Sequence, residues 1–257
     1  MGEAPGRAGE HLSEGGKHTE PDLALVVPVY NEAENFPRFY ESIVANVRTP
    51  WRLLVVYDRE EDTTLPVARA LQAKDPRVEL VLNEGKAVLG ALKTGLSRPS
   101  HGWVVVTMAD GSDDHRQIDQ MVELARGGAE VVSASRYMRG GGQHGAPFVK
   151  STLSRLAGMS LKLLARMPTS DPTNNYKLYS TDFLRSVSIE STGGFEVALE
   201  LTVKAHLQGR RIVELPTVWQ ERTAGTSRFR LAKWLPRYLR WYMAAMRPRS
   251  AKHAGAQ

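Results

Sequence analysis

Short apolar runs alternate along the chain with longer stretches of mixed polarity. Residues 23–29 (LALVVPV), 53–57 (LLVVY), 78–82 (VELVL), 103–108 (WVVVTM) and 130–134 (EVVSA) are largely apolar and rich in valine and leucine. Runs of this length and composition read as strands buried on both faces. Between them, residues 32–45, 64–74, 85–96 and 118–125 carry apolar side chains at helical spacing, with Val88, Leu89, Leu92 and Leu96 in the third. Asn31 stands where it could cap the first of these helices. Strands alternating with helices predict βαβ units: an α/β, Rossmann-like, mainly parallel sheet flanked by helices. Right-handed crossovers then bring the carboxyl ends of the strands to one edge.

The polar residues concentrate at those ends. Pro28-Val29-Tyr30-Asn31-Glu32 follows the first strand, Asp58 the second, and Asn83-Glu84-Gly85-Lys86 the third. The fourth ends in Asp110-Gly111-Ser112-Asp113-Asp114, and the fifth is followed by Ser135-Arg136-Tyr137. Any one of these could be a turn, and Asp113 or Asp114 could cap the next helix. Five on one edge point instead to a ligand site, because open α/β sheets bind ligands outside the carboxyl ends of their strands. Clustered carboxylates there suit a hard cation such as Mg²⁺ or Mn²⁺.

Beyond residue 138 the pattern changes. Residues 139–145 (RGGGQHG) form a glycine-rich loop, either a linker or a flap over the site. Residues 149–167 predict a basic amphipathic helix, and 171–179 a turn leading into a short strand. Residues 195–207 predict a helix with Glu196, Glu200 and Lys204 on one face, and 211–215 another strand. From Arg222 to Lys252 there are nine Lys or Arg and no acid, interleaved with Phe229, Trp234, Tyr238, Trp241 and Tyr242. That composition suits an amphipathic helix at an anionic membrane surface. A helix packed on the domain and a nucleic-acid surface are the other readings. No recognised nucleic-acid motif is present, so nucleic acid is not expected as a partner.

The totals narrow the class. The chain has 257 residues, net charge +6 and no cysteine, so disulfides and thiolate metal sites are excluded. No apolar run reaches 18 residues and no apolar signal-peptide core is present, so the expected location is cytoplasmic, peripheral on the inner face of the cell membrane. The expected organisation is a tail over 1–21, a catalytic domain over 22–229, a basic amphipathic helix over 230–246 and a second tail over 247–257.

The ordered set Pro28-Val-Tyr-Asn-Glu32, Asp58, the acid cluster, Ser135-Arg136-Tyr137 and Asp171-Pro-Thr-Asn174 resembles inverting family 2 glycosyltransferases of the GT-A fold. The nearest likeness is to the dolichyl- and polyprenyl-phosphate mannosyltransferases. The resemblance spans about residues 22–245 and implies roles by position. Pro28, Tyr30 and Glu32 would line the nucleotide pocket, Asp58 would meet base or ribose, and Lys86 would approach the nucleotide. Asp110 matches the second aspartate of the family's Asp-X-Asp metal motif, with Ser112 and Asp113 as further candidate ligands. Ser135 and Arg136 match the segment that meets the transferred sugar and acceptor phosphate. Lys150 and Ser154 lie where the family places a basic residue and a serine for that phosphate. Arg222 and Ser227 resemble its R-x-x-G-x-S segment near the diphosphate. The chain departs from the pattern at Met108, where the first Asp of the metal motif is expected, at Tyr57 and Arg59-Glu60, and at Lys150, where arginine is usual. The membrane-spanning C-terminal domain common in relatives is not expected here, since residues 1–257 hold no apolar run of 18 residues.

The expected reaction is metal-dependent, inverting transfer of mannose or glucose from GDP-mannose or UDP-glucose to a polyprenyl phosphate. Asp110 and Arg136 are then the central residues. A hydroxyl acceptor would need a carboxylate base, with Glu196 and Asp171 as candidates. Glu196 could equally serve a helix-face ion pair, and Asp171 a turn. A non-catalytic nucleotide-sugar-binding protein is the remaining alternative.

Overall fold

The computed structural model describes the backbone of residues 22–145, 148–220 and 231–247, and the side chains of 22–145, 151–220 and 235–247. A seven-stranded mixed sheet forms its centre. It comprises β1 (Leu23–Pro28), β2 (Trp51–Tyr57), β3 (Val78–Leu82), β4 (Trp103–Val106), β5 (Val131–Ser135), β7 (Lys177–Ser180) and β8 (Ile212–Pro216) in the order β3-β2-β1-β4-β7-β5-β8. β1 pairs parallel with β2 and β4, β2 with β3, and β5 with β8. β7 runs antiparallel between β4 and β5.

The strands are buried on both faces, as their apolar runs predict. Leu23, Leu25 and Val27 of β1 enter one core with Phe36 and Ile43 of α1 (Phe36–Asn46), Leu65 of α2 (Thr64–Gln72) and Met121 of α4 (Ile118–Arg126). Ala24 and Val26 face the other core with Leu92 of α3 (Ala87–Ser97), Phe183 of α6 (Thr181–Arg185) and Leu201 of α7 (Val197–Leu207). This alternation is the period of two that a strand imposes. Gly95 lets α3 lie close on the sheet, because a Cβ there would meet Val26 Cγ1 at 2.3 Å. A third, smaller cluster joins Leu161 of α5 (Phe148–Leu164), Leu199 and Val203 of α7, and Trp241 and Ala245 of α8 (Leu231–Ala245).

Three expectations change. The first helix begins at Phe36, and Asn31 does not cap it; Asn31 takes a left-handed conformation (φ 55°) and binds the neighbouring loop. The glycine-rich loop is stapled: β6 (Gly142–His144) pairs in parallel with β9 (Val218–Gln220). Gly141 is needed there, since a Cβ would meet the Ser135 carbonyl oxygen at 2.5 Å. The antiparallel direction of β7 also matters. Because β7 enters the sheet at the edge where its parallel neighbours end, the turn 171–174 is delivered to that same edge. The terminal stretches 1–21 and 248–257 lie outside the described residues. Among the described residues no helix is long and apolar enough to cross a membrane.

Candidate active site

At the carboxyl edge, two loops form one wall. The Asn31 N–H donates to Asp62 Oδ1 and Oδ2 at 3.0 and 3.2 Å, and the Thr63 N–H donates back to Asn31 Oδ1. The Glu32 N–H donates to Thr64 Oγ1 at 2.9 Å, while Glu32 Oε2 accepts from Asn35. Arg59 donates to the Tyr30 hydroxyl at 2.8 Å, with its guanidinium carbon 5.4 Å from the ring centroid. Pro28 is buried at the end of β1, paired with Val56. Asp58 is already engaged on both oxygens, by the Asn83 side-chain amide and by the Ala87 N–H at 3.1 Å. It therefore fixes the start of α3 and retains lone pairs for a ligand. Lys86, the extended residue before α3, is exposed.

The acid loop divides its three carboxylates by environment. Asp110 is 6% exposed and lines a cavity with Asp113, and its Oδ1 accepts the Ser112 N–H at 3.1 Å around Gly111 (φ 76°). Asp113 Oδ2 accepts from Thr107 Oγ1 and from the Met108 N–H, each at 3.0 Å. Burial pushes the Asp113 carboxyl up to about 7, and Asp110 adds to the rise. Asp114 is the cap: it accepts the Arg116 N–H and the Arg116 guanidinium. Two neighbouring inward acids fit a divalent cation, which takes one or two carboxylates and completes its shell with phosphate oxygens and water. Ser112 is buried, and its carbonyl accepts from the Gln220 N–H at 3.4 Å. Arg222 and Ser227, just beyond, lie outside the described residues.

The third wall is built on Arg136. Asp171 grips it through three donors: the Arg136 N–H at 3.0 Å, Nε at 2.6 Å and Nη2 at 2.9 Å. Asp171 is fully buried and Arg136 nearly so. Burial opposes ionisation of Asp171, but Arg136 and Lys177 outweigh it and hold the carboxyl below its usual range. With both oxygens so held, Asp171 is an anchor for Arg136 rather than a free base. Arg136 also lies 5.0 Å from the Tyr137 ring centroid. Ser135 is fully buried, bonded to Ser170 Oγ and the Met138 N–H, which suits a structural role. Ser154 on α5 meets Thr173 Oγ1 at 3.0 Å, beside the Arg136 corner. The Lys150 side chain lies outside the described ones.

The expected row of Glu196, Glu200 and Lys204 separates. Lys204 pairs with Glu200 at 2.7 Å and Glu190 at 2.8 Å. Glu196 sits before α7 and is 1% exposed; its Oε1 accepts the Thr192 and Gly193 N–H groups. Its Oε2 is buried with no hydrogen-bond partner among the described residues.

Lys177 was not foreseen. It is fully buried at the start of β7 and donates to the carbonyls of Asp171 and Asn174. Its only advance signal was a lysine inside the otherwise apolar Tyr176-Lys177-Leu178-Tyr179. Burial pulls its pKa down to about 7 from 10.5. The unfolded chain then keeps this proton up to pH 10.5 while the folded chain releases it near 7, so stability rises with pH across that window. Denaturant titrations between pH 7 and 9 will show a rise of up to about 1.4 kcal/mol per pH unit from this group, which Lys177→Met abolishes.

A mostly parallel mixed sheet with cross-tied loops and an acid loop at its carboxyl edge is the Rossmann-like architecture of the GT-A fold. The fold matches glucosyl-3-phosphoglycerate synthase from Mycobacterium tuberculosis, solved with Mn²⁺, UDP and glucosyl-3-phosphoglycerate (TM-score 0.65, 15% identity, 90% of this chain and 82% of that chain). Residues 24–187 match the model of glycosyl transferase family 2, and the chain belongs to that family. It is therefore a glycosyltransferase, and the non-catalytic alternative falls. Among relatives, polyprenol monophosphomannose synthase of Mycolicibacterium smegmatis is 28% identical over 228 residues, covering 82% of this chain and 85% of that protein. Undecaprenyl-phosphate mannosyltransferase of Micrococcus luteus is 29% identical over 219 residues, covering 80% and 86%.

Proposed function

We propose that the chain transfers a hexosyl group, with inversion, from GDP-mannose or UDP-glucose to a polyprenyl phosphate, with Mg²⁺ or Mn²⁺ at Asp110 and Asp113. The names of the relatives support this acceptor class. The observation that carries the lipid half is an exposed apolar face on α5, the helix whose Ser154 meets the Arg136 corner. On α5, Leu153, Leu156, Met159, Leu163 and Leu164 are exposed, Leu163 by 79%. At 100° per residue they form one stripe, bordered by Arg155 and Lys162. On α8, Leu235, Leu239 and Met243 are exposed along one line. Large apolar side chains gathered this way mark an interaction surface, and basic residues beside them suit the anionic inner face of a membrane.

The chemistry follows from the residues. A phosphate oxygen of the acceptor attacks the anomeric carbon from the face opposite the diphosphate. The C–O bond to the diphosphate breaks, and its electron pair leaves with the nucleoside diphosphate. The phosphate is already anionic, so no base is needed. Tyr30, Glu32 and Asp58 orient the nucleoside, and Lys86 serves the diphosphate. Arg136, Ser154 and Lys150 place the acceptor, and Ser135 supports Arg136 from below. A bound cation would neutralise charge developing on the leaving diphosphate. Glu196 favours a second acceptor: its unpartnered Oε2 could take a proton from a saccharide hydroxyl.

Anionic vesicles carrying polyprenyl phosphate, incubated with radiolabelled GDP-mannose or UDP-glucose, will yield labelled lipid in the organic extract. Leu156→Asp with Leu239→Asp will lower that yield on vesicles by about tenfold or more, while leaving nucleotide binding intact. Label appearing only on soluble hydroxyl acceptors, and lost in Glu196→Gln, would instead select the second acceptor.

A further inference from the structure

Three side chains with no part in the binding roles above, Ser42, His115 and Thr107, form one hydrogen-bonded line that ends on Asp113. Ser42 Oγ on α1 meets His115 Nδ1 at 2.9 Å. His115 Nε2 meets Thr107 Oγ1 at 3.2 Å, and Thr107 Oγ1 donates to Asp113 Oδ2 at 3.0 Å. The direction of the line follows from its ends. Asp113 Oδ2 also accepts the Met108 N–H, so it acts as an acceptor. The single Thr107 hydroxyl hydrogen points to Asp113, so its oxygen accepts from His115 Nε2–H. His115 is buried, and a neutral ring with its N–H on Nε2 leaves Nδ1 as an acceptor. Nδ1 then accepts from the Ser42 hydroxyl. The ring is held edge-on against Phe39, with centroids 5.2 Å apart. A cavity of about 170 Å³ lies alongside, bounded by Ser42, His115, Asp110 and Asp113. Among the described residues Asp113 Oδ1 accepts no hydrogen bond.

We propose that Ser42, His115 and Thr107 are positioning residues: they lock Asp113 by Oδ2 and leave Oδ1 for the divalent cation, so that Asp113 stands in for the carboxylate missing at Met108. The proposal rests on the metal-dependent transfer proposed above. The geometry favours a lock over a packing accident, because every hydrogen and lone pair along the line is used in one sense. Hydrogen-bond partners that orient a metal ligand are worth about 10–100-fold in metal affinity.

The test is Mn²⁺ binding in the presence of GDP or UDP, followed by the electron paramagnetic resonance signal of free Mn²⁺, which needs no turnover. Thr107→Val, equal in shape but without the hydroxyl, will weaken Mn²⁺ binding by about tenfold or more, and Thr107→Ser will restore it. His115→Phe will match Thr107→Val, and Ser42→Ala, at the half-buried far end of the line, will show a smaller loss in the same direction. If Thr107→Val, His115→Phe and Ser42→Ala bind Mn²⁺ like the wild type while Asp110→Asn does not, the cation site stands and the positioning role falls. Equal losses in Thr107→Ser and Thr107→Val also overturn it, since the hydroxyl would not be the active feature. A wild type that takes up no Mn²⁺ with either nucleotide overturns both the positioning role and the metal half of the proposed function.

Discussion

Asp110→Asn will lower hexosyl transfer by about 10²–10³-fold, the usual cost of removing one group that stabilises charge developing in the transition state. Asn keeps the shape and can still accept the Ser112 N–H, so the loop geometry survives the change. What it loses is the negative charge at an acid that lines the cavity beside Asp113. The contrast with its neighbours sharpens the expectation. Asp114 is occupied by Arg116, and Asp113 Oδ2 by Thr107 and Met108. Asp114→Asn will therefore leave the rate within a few-fold of wild type, because exposed ion pairs contribute about 1 kcal/mol or less. Initial rates at saturating donor, with and without a chelator, separate the two variants. If Asp110→Asn retains full chelator-sensitive activity, the cation is held elsewhere.

The largest expected effect on stability is at Asp171. Asp171→Ala leaves the Arg136 guanidinium, only 12% exposed, with no carboxylate. Removing one partner of a buried ion pair costs about 3–5 kcal/mol. For a chain of this size that lowers the melting temperature by roughly 10 °C. The double variant Arg136→Met/Asp171→Leu removes both charges and will recover most of that loss, since apolar replacement of a whole buried pair is often neutral. It will not recover transfer if Arg136 places the acceptor. Calorimetric melting beside rate measurement thus distinguishes anchoring the fold from acting in the reaction. A double variant as unstable as Asp171→Ala would mean that the loss comes from the turn itself.

Much of the fold was legible because strands buried on both faces must be apolar throughout. Five such runs, separated by helical spacing, permit few arrangements once crossovers are right-handed. The gathering of the strand-end loops and the acid loop on one edge was legible for the same reason: polar residues at strand ends fall together wherever the strands are parallel. The helix after β1 was misplaced because Asn31 is as good a residue for a left-handed turn as for a cap, and only its bond to Asp62 decides which it is. The glycine-rich loop read as free because its partner strand β9 lies some 75 residues further on, and a parallel pair leaves no local pattern.

The sequence by itself determined the class of sheet, the edge where chemistry gathers, the family and the residue types available there. Tertiary structure alone decided what each residue is free to do. Asp110 lines the cavity and Asp114 caps the following turn, though both belong to one run of five residues. Arg136 and Asp171 are 35 positions apart, and only the reversed direction of β7 brings their charges together. Glu196, Glu200 and Lys204 share a helical spacing, yet burial and the Ser191 region take Glu200 from Glu196. Ser42 and His115 are 73 positions apart and join only because α1 packs beside the acid loop. Local pattern is set by backbone period, which sequence carries. Protonation, pairing and reach are set by neighbours distant in the chain, which only the folded molecule specifies.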